Sequence, residues 1–108
     1  MEPQVVTESA YEALHPPVRE ANRSASLRAR LAEVRRLAAE GTPVALHLDP
    51  ADGPVVSVAT AAVEAGATVL VLPGPASEED AAPIALEREV RRAADVTAAL
   101  VAARGAVR

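Results

Sequence analysis

Residues 42–72 read TPVALHLDPADGPVVSVATAAVEAGATVLVL and decide the fold. Two short apolar runs, residues 43–48 and 68–72, are typical of strands that are buried on both faces. Between them, residues 54–65 carry apolar side chains at helical spacing. Pro54 suits the first turn of this helix, and Gly66 can take the left-handed conformation that ends it. The stretch therefore predicts one strand–helix–strand unit.

A second helix is predicted over residues 24–40, before this unit. Its apolar residues form one stripe: Leu27, Leu31, Val34, Leu37 and Ala38. Ser24 or Ser26 can cap its start, and Gly41 can end it. Its arginines lie mostly off the stripe and are interspersed with glutamates, which favours a solvated face over an anion-binding patch. They are Arg28, Arg30, Arg35 and Arg36.

A third helix is predicted after the unit, from about residue 84 to 103. One side of it is lined by Leu86, Val90, Ala93, Thr97, Leu100 and Val101. The fold class is thus α/β, in the order helix–strand–helix–strand–helix, with a small parallel sheet. Residues 24–108 are predicted to form a single βαβ-containing domain. Residues 1–23 are predicted to be a poorly ordered N-terminal arm, in which residues 4–7 could form a short strand.

So few strands cannot close a barrel, and an open parallel sheet leaves unpaired edges. The pattern therefore predicts a piece of a larger α/β architecture, or a small protein that completes its sheet by association. Composition points the same way. Half of the 108 residues are hydrophobic, but Tyr11 is the only aromatic residue, so the core should be thin. We therefore expect a homo-oligomer or a partner protein chain.

Charge and residue usage exclude several classes of function. The net charge is −4, all 11 basic residues are arginine, and no basic stripe is present, so nucleic acid is not expected as a partner. There is no cysteine for a disulfide, a thiol nucleophile or a thiolate metal site. The sequence shows no signal peptide and no apolar run of about 18 residues, so a cytoplasmic location away from membranes is expected.

Candidate site residues follow the two predicted strands. In parallel α/β folds, ligands bind beyond the carboxyl ends of the strands. His47, Asp49, Asp52 and Gly53 lie at the end of the first strand, and Gly74 lies just after the second.

The two carboxylates and the imidazole could hold a divalent cation. Turn and helix-capping chemistry accounts for Asp-Pro and Asp-Gly at least as well, and it is favoured because no complete ligand spacing is present. A glycine at position 74 could let a phosphate approach the backbone, but the flanking prolines lack the N–H donors that a phosphate cradle needs.

Residues 43–100 resemble the N-terminal part of dihydropteroate synthase, the pterin-binding (β/α)8 barrel of folate biosynthesis. The matching stretches are LHLDPADG (46–53), EAGATVLVLPGP (64–75) and APIALEREVRR (82–92). They cover about two of the eight barrel units, so the resemblance implies a partial TIM-barrel-like fragment. The resemblance implies that Pro50, Gly53 and Gly74 carry over as backbone features of a ligand site.

The functional positions of that family are altered. The family's loop asparagine aligns with His47, its pterin-contacting aspartate aligns with Val71, and its E-S-T-R-P segment is replaced by PASE at 75–78. Its lysine and S-x-R motif have no counterpart in residues 1–108. The resemblance therefore implies a degenerate, non-catalytic dihydropteroate synthase-like domain that acts by self- or hetero-association.

The alternative is a pterin-binding enzyme or enzyme subunit of folate biosynthesis, a transferase. It would bind its ligand at His47, Asp49, Asp52, Gly53 and Gly74, with Mg²⁺ if the pterin-diphosphate site is retained. A truncated gene product is a third interpretation.

Overall fold

The computed structural model describes residues 3–14, 18–73 and 82–106. Within these ranges the chain forms four α-helices and four β-strands. In chain order they are β1 (Gln4–Val6), α1 (Glu8–Glu12), β2 (Arg19–Glu20), α2 (Leu27–Ala39), β3 (Val44–His47), α3 (Val55–Ala65), β4 (Val69–Val71) and α4 (Ala82–Ala106). The α/β class is confirmed, as is the order helix–strand–helix–strand–helix from α2 onward.

The four strands form one sheet in the order β1-β4-β3-β2, and every pair is parallel. Val71 at the end of β4 lies between Val6 of β1 and His47 of β3. The strand predicted within residues 4–7 is confirmed. Strand β2, with two residues, lies outside the predicted strands. Both edge strands come from residues 1–23, so the sheet crosses the boundary predicted at residue 24.

The two faces of the sheet are covered by different parts of the chain. Alternation along the strands turns Val44, Leu46 and Leu70 toward a core that includes side chains of α2, α3 and α4. The opposite face carries Ala45, Val69 and Val71, which pack against Val6, Tyr11, Leu14 and Val18 from the N-terminal segment. Because His47 lies two residues beyond Ala45, its side chain points to this second face.

Helix α2 begins at Leu27, and the Ser26 side chain accepts a hydrogen bond from the Ala29 amide at 3.2 Å. Ser26 is therefore the cap among the two serines considered. The prediction of a solvated arginine face is wrong for Arg30, which is only 5% exposed. The physical reason is helical spacing, because Arg30 precedes the buried Val34 by four residues and Leu37 by seven.

Gly66 ends α3 and also lets α3 approach α2. Its φ of +107° lies in the left-handed region, as predicted for a helix-ending glycine. A Cβ atom added at Gly66 would lie 2.6 Å from the Cβ of Ala38 on α2. The residue thus serves both the end of the helix and the packing of two neighbouring helices.

Helix α4 packs against α3 and reaches β1. It buries Val90, Ala94 and Thr97, so part of the predicted side faces the core. The other part, Leu100 and Val101, is exposed. No described helix combines the length and the hydropathy needed to cross a membrane.

Candidate functional site

A cavity of about 200 Å³ lies at the carboxyl ends of the strands, where the sequence predicted a site. It is lined by Glu8, Arg23, Arg30, His47, Leu48, Asp49, Pro50 and Pro73. These residues come from the start of α1, the segment before α2, α2 itself and the ends of β3 and β4. The parallel arrangement brings them together because all four strands run toward this edge.

His47 is a buried side chain that lines the cavity, on the face of the sheet that α1 covers. It is 8% exposed, and its Nδ1 atom contacts Oε1 of Glu20 on β2. Both atoms are shielded from solvent and have no other partner among the described residues. The Tyr11 ring meets the imidazole edge-on, with ring centres 5.4 Å apart. The imidazole is therefore held by a carboxylate on one side and by an aromatic ring on the other.

Burial lowers the pKa of His47, and Arg23 acts in the same direction, against the opposite effect of Glu20 and Glu8. We infer a neutral ring near pH 7 whose Nδ1–H donates to the Glu20 carboxylate. The other nitrogen, Nε2, is then an acceptor. It lies 3.9 Å from Oε1 of Glu8, which is beyond hydrogen-bond distance. Burial also raises the pKa of Tyr11, with a further contribution from Glu20.

Arg30 and Asp52 form a second buried contact beside the cavity. The Arg30 guanidinium donates to the Asp52 carboxylate, to the carbonyl of Ala25 at 3.1 Å and to the carbonyl of His47 at 3.4 Å. It thereby ties α2 to the end of β3 and to the loop that follows. Asp52 thus holds the loop through Arg30, and its predicted role as a ligand-binding residue stays a prediction.

Comparisons with protein-family models, with curated proteins and with solved structures find no match.

The remaining predicted site residues have different fates. Asp49 lines the cavity, but its carboxylate also accepts a hydrogen bond from the Ala51 amide at 2.9 Å, as in the turn chemistry that the sequence favoured. Gly53 has a φ of +124° and ends a short 3-10 turn over Pro50–Asp52. Gly74 lies outside the described residues, so its predicted role stays a prediction.

The donor set does not fit Mg²⁺. Mg²⁺ prefers oxygen ligands in octahedral geometry, and its protein ligands are mostly carboxylates. Asp52 is engaged by Arg30, and His47 faces Glu20. In the described ranges, no three Asp, Glu or His side chains are grouped to hold a metal ion.

Sequence reasoning missed most of the residues that surround His47. Arg30 could have been found from its spacing to Val34 and Leu37. No local sequence pattern identifies Glu20 and Tyr11, because only the path of the chain from β1 to β2 brings them beside His47. The assembled site has one unpaired acceptor nitrogen, paired charges and proline walls. It can hold a small polar ligand by hydrogen bonds, and it contains no nucleophile paired with a base among its lining residues.

Proposed function

We propose that this chain is a non-catalytic, dihydropteroate synthase-like α/β domain that acts by association, with a second copy of itself or with another protein chain. The observation that carries the proposal is the exposed apolar surface of α4. Val96 and Leu100 are 55% and 53% exposed on a helix whose other side is buried. Large exposed apolar side chains grouped on one surface are typical of a protein–protein contact.

The free edges of the sheet are poor places for a partner. The Arg91 guanidinium on α4 donates to the carbonyl of Val5 on β1 at 2.7 Å, and Glu87 holds Arg91 in place at 2.8 Å. This blocks the outer edge of β1, as charged side chains commonly do. The other edge strand, β2, has two residues, Arg19 and Glu20. The helical face is therefore the better candidate for association than strand addition.

The cavity supports the non-catalytic part of the proposal. The Arg30 guanidinium is paired with the Asp52 carboxylate, and the neutral His47 ring contacts Glu20. A general base must present its free site to a substrate proton. Here Nε2 of His47 is the remaining site, and the carboxylates of Glu8 and Asp49 lie at the rim. The described lining residues include no nucleophile paired with this base, which favours binding over covalent catalysis.

Static light scattering with size-exclusion chromatography tests the proposal. We expect a mass above that of the 11.1 kDa monomer at protein concentrations of about 100 μM, and a rising mass with concentration. A folded chain that stays monomeric and captures no partner chain contradicts it. Circular dichroism on the same samples establishes that the chain is folded.

The second candidate function is binding of a small pterin-like ligand in the cavity at the strand ends. The observation in its favour is that His47 and Asp49, two side chains that can form hydrogen bonds, both line the cavity. Thermal unfolding with a pterin, with and without Mg²⁺, tests it. Binding predicts a rise in melting temperature that Mg²⁺ does not increase, since the donor set does not fit this ion. No rise at high pterin concentration counts against this candidate.

A further inference from the structure

The exposed face of α4 has opposite charges at its two ends. Ala93, Val96 and Leu100 lie on one face at helical spacing, with Glu89 before them and Arg104 after them. Except for Arg104, these α4 residues also line a groove of about 560 Å³ with Val56 and Thr60 of α3. Arg92 and Thr97 complete its lining, so a cationic side chain lies next to Glu89 at this end. We call the residues Glu89, Ala93, Val96, Leu100 and Arg104 the α4 stripe. It is about 22 Å long at 1.5 Å per residue.

We propose that the α4 stripe is the contact of a two-fold dimer, in which α4 packs antiparallel against α4 of a second copy. This inference rests on the proposed association and names its partner and geometry. A two-fold axis near residues 96 and 97 brings Val96 of each copy to the centre and Ala93 against the second copy's Leu100. It also places Glu89 of each copy beside Arg104 of the other.

Charge decides between a second copy in this orientation and the parallel one. In a parallel pair, Glu89 would face Glu89 and Arg104 would face Arg104, which is unfavourable at both ends. The antiparallel pair replaces both repulsions with two opposite-charge contacts. Arg104 contacts Glu64 within its own chain at 3.5 Å, but its side chain is 67% exposed and can also reach a second copy.

The size of the surface indicates a weak dimer. Stable interfaces bury about 800 Å² on each partner, usually across several elements. A single helix pair of about four turns with a flank from α3 buries less than this. We therefore expect a dissociation constant in the micromolar range, measurable by sedimentation equilibrium.

Charge exchange tests the orientation. The single variants Glu89→Arg and Arg104→Glu each place like charges together and should weaken the dimer by about tenfold. The double variant, which exchanges both charges, should restore the wild-type constant. Asp95→Arg and Arg88→Glu are matched controls, because they make the same charge changes at exposed positions of α4 outside the stripe. They should change the constant much less.

Val96→Glu together with Leu100→Glu should abolish the dimer, and circular dichroism checks that the fold is kept. A wild-type dimer that tolerates these two substitutions overturns this inference and leaves the proposed association standing. A dimer that both single charge variants weaken, without recovery in the double variant, overturns the antiparallel orientation. A wild-type chain that is monomeric at several hundred micromolar overturns the homodimer.

Discussion

The substitution Gly66→Ala probes a close approach between the end of α3 and α2. Two costs add at this position. A left-handed φ costs a residue with a Cβ atom about 1–2 kcal/mol. The new methyl group would also lie 2.6 Å from Ala38 Cβ, and overpacking of this kind costs about 1–3 kcal/mol. We expect Gly66→Ala to lower the free energy of unfolding by about 2–5 kcal/mol, a large part of the 5–15 kcal/mol typical of a domain.

Gly41→Ala is the matched control. Gly41 follows α2 with a φ of +78°, and an added Cβ atom there meets nothing within 4 Å. It should therefore cost only the backbone part, about 1–2 kcal/mol. Urea unfolding followed by circular dichroism, with linear extrapolation to water, measures both values.

Ala38→Gly provides the decisive arm. Alone, it should cost about 0.5–1 kcal/mol, because glycine is unfavourable inside a helix. In combination with Gly66→Ala, it removes the Ala38 methyl group that would clash with the new Cβ atom. The double variant should therefore recover about 1–3 kcal/mol relative to the sum of the single effects. The backbone strain at Gly66 cancels in this comparison. Additive effects within about 0.5 kcal/mol would refute the claim that this contact sets the spacing of α2 and α3.

Three further predictions concern the interior. Asp52→Ala leaves the Arg30 guanidinium buried with one partner fewer and should lower the free energy of unfolding by about 2–4 kcal/mol. Arg30→Met removes the charge and fills its volume, so it should cost less. The opposite order in urea unfolding would contradict the pairing. The pKa of His47 is lowered in the folded state, so the wild type should lose stability as the pH falls below about 6.5. His47→Gln should flatten this pH dependence of stability. An unchanged slope between pH 7 and 5 would count against the prediction. Thr68→Val removes a hydroxyl that accepts from the Val44 amide at 3.1 Å and donates to its carbonyl at 3.2 Å, so it should cost about 1–2 kcal/mol in thermal unfolding.

The central part of the fold follows from local patterns. The apolar runs around Leu46 and Leu70 identify β3 and β4, and the glycine at position 66 marks the end of the helix between them. These features depend on residues within a turn or a strand of one another, so periodicity and capping chemistry are sufficient to find them.

The rest depends on pairing between distant segments. Strand β2 has two residues and gives no periodicity to detect. The environment of His47 could not be read locally either. Glu20 reaches it because β2 lies beside β3, and Tyr11 reaches it because α1 covers the same face of the sheet. The local sequence therefore points to His47, Asp49 and Asp52 at the end of β3, but it does not show which distant side chains enclose His47.

The place of β1 in the sheet has a consequence for synthesis on the ribosome. Gln4 pairs with Val69, 65 residues later in the chain. At a translation rate of 5–20 residues per second, β1 waits about 3–13 s before its neighbour β4 has been made. During this interval the nascent chain carries an unpaired apolar strand. Translation speed over residues 7–69, and any chaperone that holds the emerging N-terminal segment, should therefore influence the yield of folded protein.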